Sequence, residues 1–192
     1  TKLDDVGVSY AVHESVDDHY LQSLSRLVIR DSLLISRAQS GILRHPFFSL
    51  TKEFDCNILL LGDKPWPATV KFAAAVDPLH ENDRPARLDH YIVKLTKSLK
   101  QLLNGEWHLV HCCSVSPFLV SHQKKIFELH REALAEFAQE TNTRKSETTL
   151  LQGLPEAVLP IWVNEQKINV LCLGYIARSE LGNYLVGSTT HE

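Results

Sequence analysis

Methionine is absent from the 192 residues, and the chain opens on Thr1. A first residue other than Met does not read as a native start, so segments of a longer protein are expected to be missing. Long apolar runs are lacking too. Phe72-Ala73-Ala74-Ala75-Val76 and Ile58-Leu59-Leu60-Leu61 are the longest kind found, against the roughly 20 residues a spanning helix needs. Nothing has the pattern of a signal peptide, so no membrane segment is expected and a cytoplasmic location follows as the default. Cysteine is scarce: Cys56, Cys112, Cys113 and Cys172 lie in or beside apolar strand-like runs without CxxC spacing, which reads as reduced thiols rather than a disulfide or zinc framework. A basic excess is missing as well. The net charge is -3 with Lys and Arg scattered, which excludes the basic stripe of a nucleic-acid surface.

What is present is an ordinary globular balance, 44% apolar, in which strand-like and helix-like segments alternate. That alternation predicts an α/β fold with a parallel sheet. The first part reads as strand 7–12, helix 18–30 with Leu21, Leu24, Leu27 and Val28 on one face, strand 32–36, an irregular 40–48 segment, a short helix near 50–54 and strand 56–61. Gly62-Asp63-Lys64-Pro65-Trp66-Pro67 then forbids both helix and central strand, because prolines remove donors and restrict their neighbours. We place a domain boundary there, between 1–64 and 65–192.

The second part reads as strand 70–76, loop 77–83, helix 84–103 with Leu88, Tyr91, Ile92, Leu95, Leu99, Leu102 and Leu103 inward, and Gly105 as its cap. Strand 107–113, helix 121–140, strand 147–151, helix 155–164 and strand 168–173 follow. The order is βαβαβαβ. After the last strand come Gly174-Tyr175-Ile176-Ala177, nine further residues, then Gly187-Ser188-Thr189. Glycines there let backbone approach a ligand, and a Gly-Ser-Thr offers N–H groups and hydroxyls to an anion. The spacing is neither that of a P-loop nor that of the dinucleotide fingerprint, and turn and capping glycines would look the same.

Asp77 at a first strand's end, Gly153-Leu-Pro-Glu-Ala-Val after a third, and Gly174-x-x-Ala177 with Gly187-Ser188 after a fourth make the unit from Pro65 onward resemble a universal stress protein domain. Residues 1–64 resemble the back half of another, from its third strand to its fifth, so the whole resembles the bacterial tandem-domain type. The linker Asp63-Lys64-Pro65-Trp66-Pro67 is similar to the inter-domain segment of that type. The resemblance implies a doubly wound, adenine nucleotide alpha hydrolase-like, parallel five-stranded sheet of order 3-2-1-4-5 with its ligand at the carboxyl edge. The first unit is expected to be incomplete and the second to lack its last helix and strand. Carried over by position, the nucleotide-binding residues are Asp77, Gly174, Ala177, Gly187, Ser188 and Thr189, with ATP or another adenine nucleotide as ligand. The departure is Ala177, which stands where the ATP-binding pattern has its second glycine. If that position needs a positive φ, Ala costs roughly 1 kcal/mol or more there. The matching loop 37–46 of the first unit has no such pattern.

No metal is called for. His111-Cys112-Cys113 alternate across a strand and cannot chelate one ion from one face, and His108 and His111 read as satisfied strand histidines. His19, His45, His80, His90, His122, His130 and His191 lack helical metal-site pairing. Lys94, Lys97, Lys100 and Lys124-Lys125 read as solvated helix faces. No Ser-His-Asp or paired-carboxylate arrangement assembles, so a non-enzymatic stress-response protein is expected, its two units an intramolecular pseudo-dimer or the chain a homo-oligomer, with no nucleic acid or membrane partner. The alternatives are an interaction module with a vestigial cleft and, less supported, a nucleotide-using enzyme.

Overall fold

The computed structural model of the chain describes residues 33–37, 56–62, 64–79 and 87–174. The chain divides into two compact units, Thr1–Asp63 and Lys64–Glu192. In the first, strands β1 (Leu33–Arg37) and β2 (Asn57–Leu61) pair in parallel, Leu33 opposite Asn57 and Arg37 opposite Leu61. The strand expected at 7–12, the helices at 18–30 and 50–54 and the 40–48 segment lie outside the described residues.

The second unit runs β3 (Lys71–Val76), α1 (Leu88–Leu102), β4 (Glu106–Cys113), a 3-10 turn (Pro117–His122), α2 (Gln123–Glu140), a short 3-10 turn (Lys145–Glu147), β5 (Thr148–Gln152), α3 (Pro155–Glu165) and β6 (Val170–Cys172). Its four strands pair in the order β5-β4-β3-β6, every neighbour parallel. Counted within the unit this is 3-2-1-4. The place of a fifth strand lies outside the described residues.

The sheet is covered on both sides, as a parallel sheet must be. Ala73 and Val110 face α3, where Leu159 and Trp162 complete a buried cluster. Phe72, Ala74 and Leu109 point the other way, toward the side of α1 and α2, and are fully or almost fully buried. The alanines at the centre of β3, Ala73 and Ala74, are fully buried, one on each face of the sheet. Between β3 and β6 the sheet reverses its order of addition, and the crossover helix changes from one face to the other.

Helix α1 departs from the expected range at both ends, and its inward face is rotated. Arg87 has φ 67, which no helix interior accepts, so the helix begins at Leu88. At the far end Asn104, not Gly105, takes the left-handed position (φ 48), and the Gly105 N–H donates to the Lys100 carbonyl at 2.9 Å in a Schellman closure. The buried positions are Asp89, Ile92, Val93 and Thr96, whereas Tyr91, Leu102 and Leu103 are exposed. Apolar periodicity misses this face because two of its four residues are polar. Both are satisfied internally: Thr96 Oγ1 donates to the Ile92 carbonyl at 2.7 Å, and Asp89 accepts from a backbone N–H described below. Burial is then tolerable.

Lys97 also departs from the solvated-face reading. Its ammonium lies 4.6 Å from the centre of the Trp107 ring and donates to the carbonyls of Thr141 and Asn142, where α2 ends. A cation over an aromatic face and at a helix C-terminus is favoured on both counts. Burial lowers its pKa, with Glu147 acting the other way.

Candidate functional site

Asp77 follows the last residue of β3, and Gly174 lies two residues beyond β6. The ladder pairs Phe72 with Val170 and Ala74 with Cys172, so its offset carries Gly174 to the level of Val76. Two of the residues carried over from the family motif therefore meet at one carboxyl edge, at the reversal point of the sheet. Ala177, Gly187, Ser188 and Thr189 lie outside the described residues.

Gly174 is held by a close approach. A Cβ there would lie 2.7 Å from Leu88 Cδ2 and 3.0 Å from Ile92 Cδ1, so a glycine lets the strand's exit pass the first turns of α1. Its role there is packing, which also fixes where the following chain starts.

Asp77 is gripped from two sides. Its N–H donates to Asp89 Oδ2 at 3.0 Å, and its Oδ1 stands 3.9 Å from His111 Nδ1. Asp89 is 2% exposed and His111 1%. His111 Nδ1 lies 2.9 Å from the Val76 carbonyl. A carbonyl oxygen can only accept, so Nδ1 carries the hydrogen. On its other nitrogen, Nε2 is 2.7 Å from His130 Nδ1 on α2, the ring centres 5.0 Å apart and the planes 19° from parallel. Burial lowers the His111 pKa most; the Asp77 carboxylate and the Val76 carbonyl oppose this, His130 adds to it, and Asp89 opposes it.

Sequence reasoning placed Asp77 and Gly174 here and read His111 as a satisfied strand histidine, but it missed Asp89 and His130 as parts of the arrangement. A signal for Asp89 exists: it occupies the i position of an i, i+3, i+4, i+7 set with Ile92, Val93 and Thr96. His130 leaves none, since its partner is nineteen residues away on another element.

A hollow of about 360 Å³ lies one strand over, at the ends of β4 and β5, walled by Cys113, Val115, Val120 and Phe127 with the carboxamides of Gln123 and Gln152. It includes neither Asp77 nor Gly174. The cysteines beside the sheet are unreactive in character: burial pushes Cys112 up to about 11, helped by Asp77, and raises Cys113 and Cys172. Among the described residues Cys112, Cys113 and Cys172 form no disulfide, no group of three or more His, Cys, Asp or Glu could hold a metal ion, and no helix is long and apolar enough to cross a membrane.

His111 and His108 carry a pH consequence. Both pKa values are lowered from 6.5, in each case chiefly by burial, so below about 6.5 the unfolded chain binds more protons than the folded one. Stability is then present above about pH 6.5 and is lost as pH falls, by at most about 1.4 kcal/mol per pH unit and group. The urea midpoint should hold between about pH 7 and 8 and drop toward pH 5.5. An unchanged midpoint over that interval would contradict the buried, neutral state of His111.

The geometry is that of a doubly wound α/β unit whose sheet reverses its order of addition between β3 and β6. No protein-family model matches the chain. It is similar to Universal stress protein E of Photorhabdus laumondii, 25% identical over 154 residues, 74% of this chain and 49% of that protein. It is likewise similar to Universal stress protein E of Salmonella typhi, 24% identical over 177 residues, 86% of this chain and 56% of that one. The chain thus spans about half the length of the curated relatives it matches. Among solved structures, a functionally unknown protein of Pseudomonas aeruginosa superposes with a TM-score of 0.74 at 20% identity, over 99% of this chain and 69% of its own. A candidate universal stress protein of the same species gives 0.65 at 22% identity, over 93% and 75%. The α/β fold with its parallel sheet is shared with these structures, and the curated matches bear out the resemblance to the universal stress protein family.

Proposed function

We propose that the chain is a non-enzymatic, cytoplasmic stress-response protein of the tandem universal stress protein type, and that its second unit holds an adenine nucleotide such as ATP, or another small ligand, at the edge between β3 and β6. On this reading residues 1–64 are the C-terminal part of a first domain, and the parallel β1–β2 pair fits the last two strands of the order 3-2-1-4-5. Residues 65–192 are the second domain. The relatives named Universal stress protein E support the stress-response part.

The observation that carries the ligand part is the meeting of Asp77 and Gly174 at adjacent strand ends where the sheet reverses, the place such folds use for ligands. Asp77 contributes a carboxylate whose side chain is 28% exposed, on a backbone anchored by the Asp89 hydrogen bond. Binding, not turnover, is the chemistry proposed.

Equilibrium dialysis with ATP, ADP and AMP up to millimolar concentrations tests this. Binding should appear, and Asp77→Ala should weaken it at least tenfold, roughly 1.4 kcal/mol, without moving the urea midpoint by much. No binding of any of the three would remove the nucleotide part and leave the fold standing.

One observation favours a second reading, an interaction module. Phe118 is 95% exposed, with Leu119 at 48% and Val120 at 58% beside it, and Ala177 replaces the motif glycine. Failure of the dialysis would make this the better account.

A further inference from the structure

We propose that Asp89 and His111 are positioning residues for the Asp77 ligand site, and that His130 fixes the form in which His111 acts; this rests on the reading of that edge as a ligand cleft.

Two polar groups from different elements close on the end of β3, at Val76 and Asp77. From the first turn of α1, Asp89 Oδ2 accepts the Asp77 N–H at 3.0 Å. From the middle of the sheet, the His111 imidazole donates to the Val76 carbonyl at 2.9 Å and stands 3.9 Å from Asp77 Oδ1. A carboxylate and an imidazole, each at most 2% exposed, are costly to bury, and apolar side chains would hold a strand end more cheaply. What the polar pair adds is direction: it sets the angle at which the chain leaves β3, and so where the Asp77 carboxylate projects.

The state of His111 follows from its partners. With the hydrogen on Nδ1, a neutral His111 accepts at Nε2, so His130 Nδ1–H donates. A proton arriving at the other nitrogen of His130 strengthens that bond, which becomes charge-assisted. A proton arriving at His111 Nε2 forces His130 to give up its Nδ1–H and accept there instead. The charged and titratable groups facing His111 are Asp77 after β3, Asp89 from α1 and His130 from α2; across the ladder β5 presents Leu150. Burial and His130 together disfavour the imidazolium of His111, and the Asp77 carboxylate is not drawn inward onto it.

Long-range proton–nitrogen NMR of the imidazoles, on the full chain and on His130→Gln, reads the pair without ligand. His111 should carry its hydrogen on Nδ1 and stay neutral well below pH 6.5. In His130→Gln, whose side-chain oxygen can turn to accept from a protonated Nε2, His111 should protonate at least one pH unit higher. ATP dialysis across the same pH range reads the consequence: the acid fall in affinity should move up by the same interval in His130→Gln. Asp89→Asn, which still offers an oxygen to the Asp77 N–H, should keep ATP affinity within about threefold, and Asp89→Leu should lose at least tenfold. ATP binding by a chain whose His111 carries the Nε2–H tautomer, or whose pH profile His130→Gln leaves in place, overturns the positioning role alone. No ATP binding at any pH, with the tautomer as stated, overturns the ligand reading and the positioning role with it.

Discussion

Phe72→Ala is expected to cost about 3–5 kcal/mol, the range for emptying a buried aromatic site. Phe72 is 1% exposed in the central strand β3, opposite Trp107 on β4 and Val170 on β6. Its ring lies on the face that α1 and α2 cover and touches the point where α1 gives way to β4. The site cannot collapse, because strands on both sides are held by ladder hydrogen bonds and cannot move in independently. Thermal unfolding followed by circular dichroism should show a fall in Tm of roughly 10–15 °C. A loss below about 1.5 kcal/mol would mean that the site repacks.

Gly105→Ala is expected to cost about 2–3 kcal/mol for a single methyl, at the upper end of overpacking. The added Cβ would stand 2.3 Å from the Val70 carbonyl oxygen and 2.8 Å from Phe72 Cε2. The ring can yield, but the carbonyl cannot, since it already accepts the Glu106 N–H at 2.9 Å. A double-mutant cycle separates the two contacts. In a Phe72→Leu background the alanine should still cost most of its penalty, the difference being the ring's share. If the smaller side chain removes the penalty entirely, the backbone contact is not the obstacle. Asn104→Gly, one residue earlier, should be neutral or slightly stabilising, because the left-handed conformation is at Asn104.

These two positions illustrate what was legible beforehand. Gly105 was expected to serve as a helix cap for its backbone freedom; it is required instead for its missing side chain, a contact with a strand thirty-odd residues earlier that no local pattern records. The element order was readable because each element satisfies its own backbone: Pro65-Trp66-Pro67 cannot pair, the apolar run 72–76 cannot stay in water, and Pro155 opens α3 where its lost donor does no harm. The inward face of α1 was misread because hydrophobic period assumes that buried means apolar, and Asp89 and Thr96 are buried with their hydrogen bonds made.

The candidate site divides along the same line. Asp77 and Gly174 could be named in advance, since a strand end and a glycine after a strand are local facts. That they stand at one edge depends on β6 pairing with β3 rather than with β5, its predecessor in the chain. The sequence alone determined that a parallel α/β unit forms, because propensity, proline placement and apolar alternation act over a few residues at a time. Only the tertiary structure decided which strand ends meet, and that Asp89, His111 and His130 gather behind Asp77, because hydrogen bonds between elements far apart in the chain exist only after the sheet has closed its order.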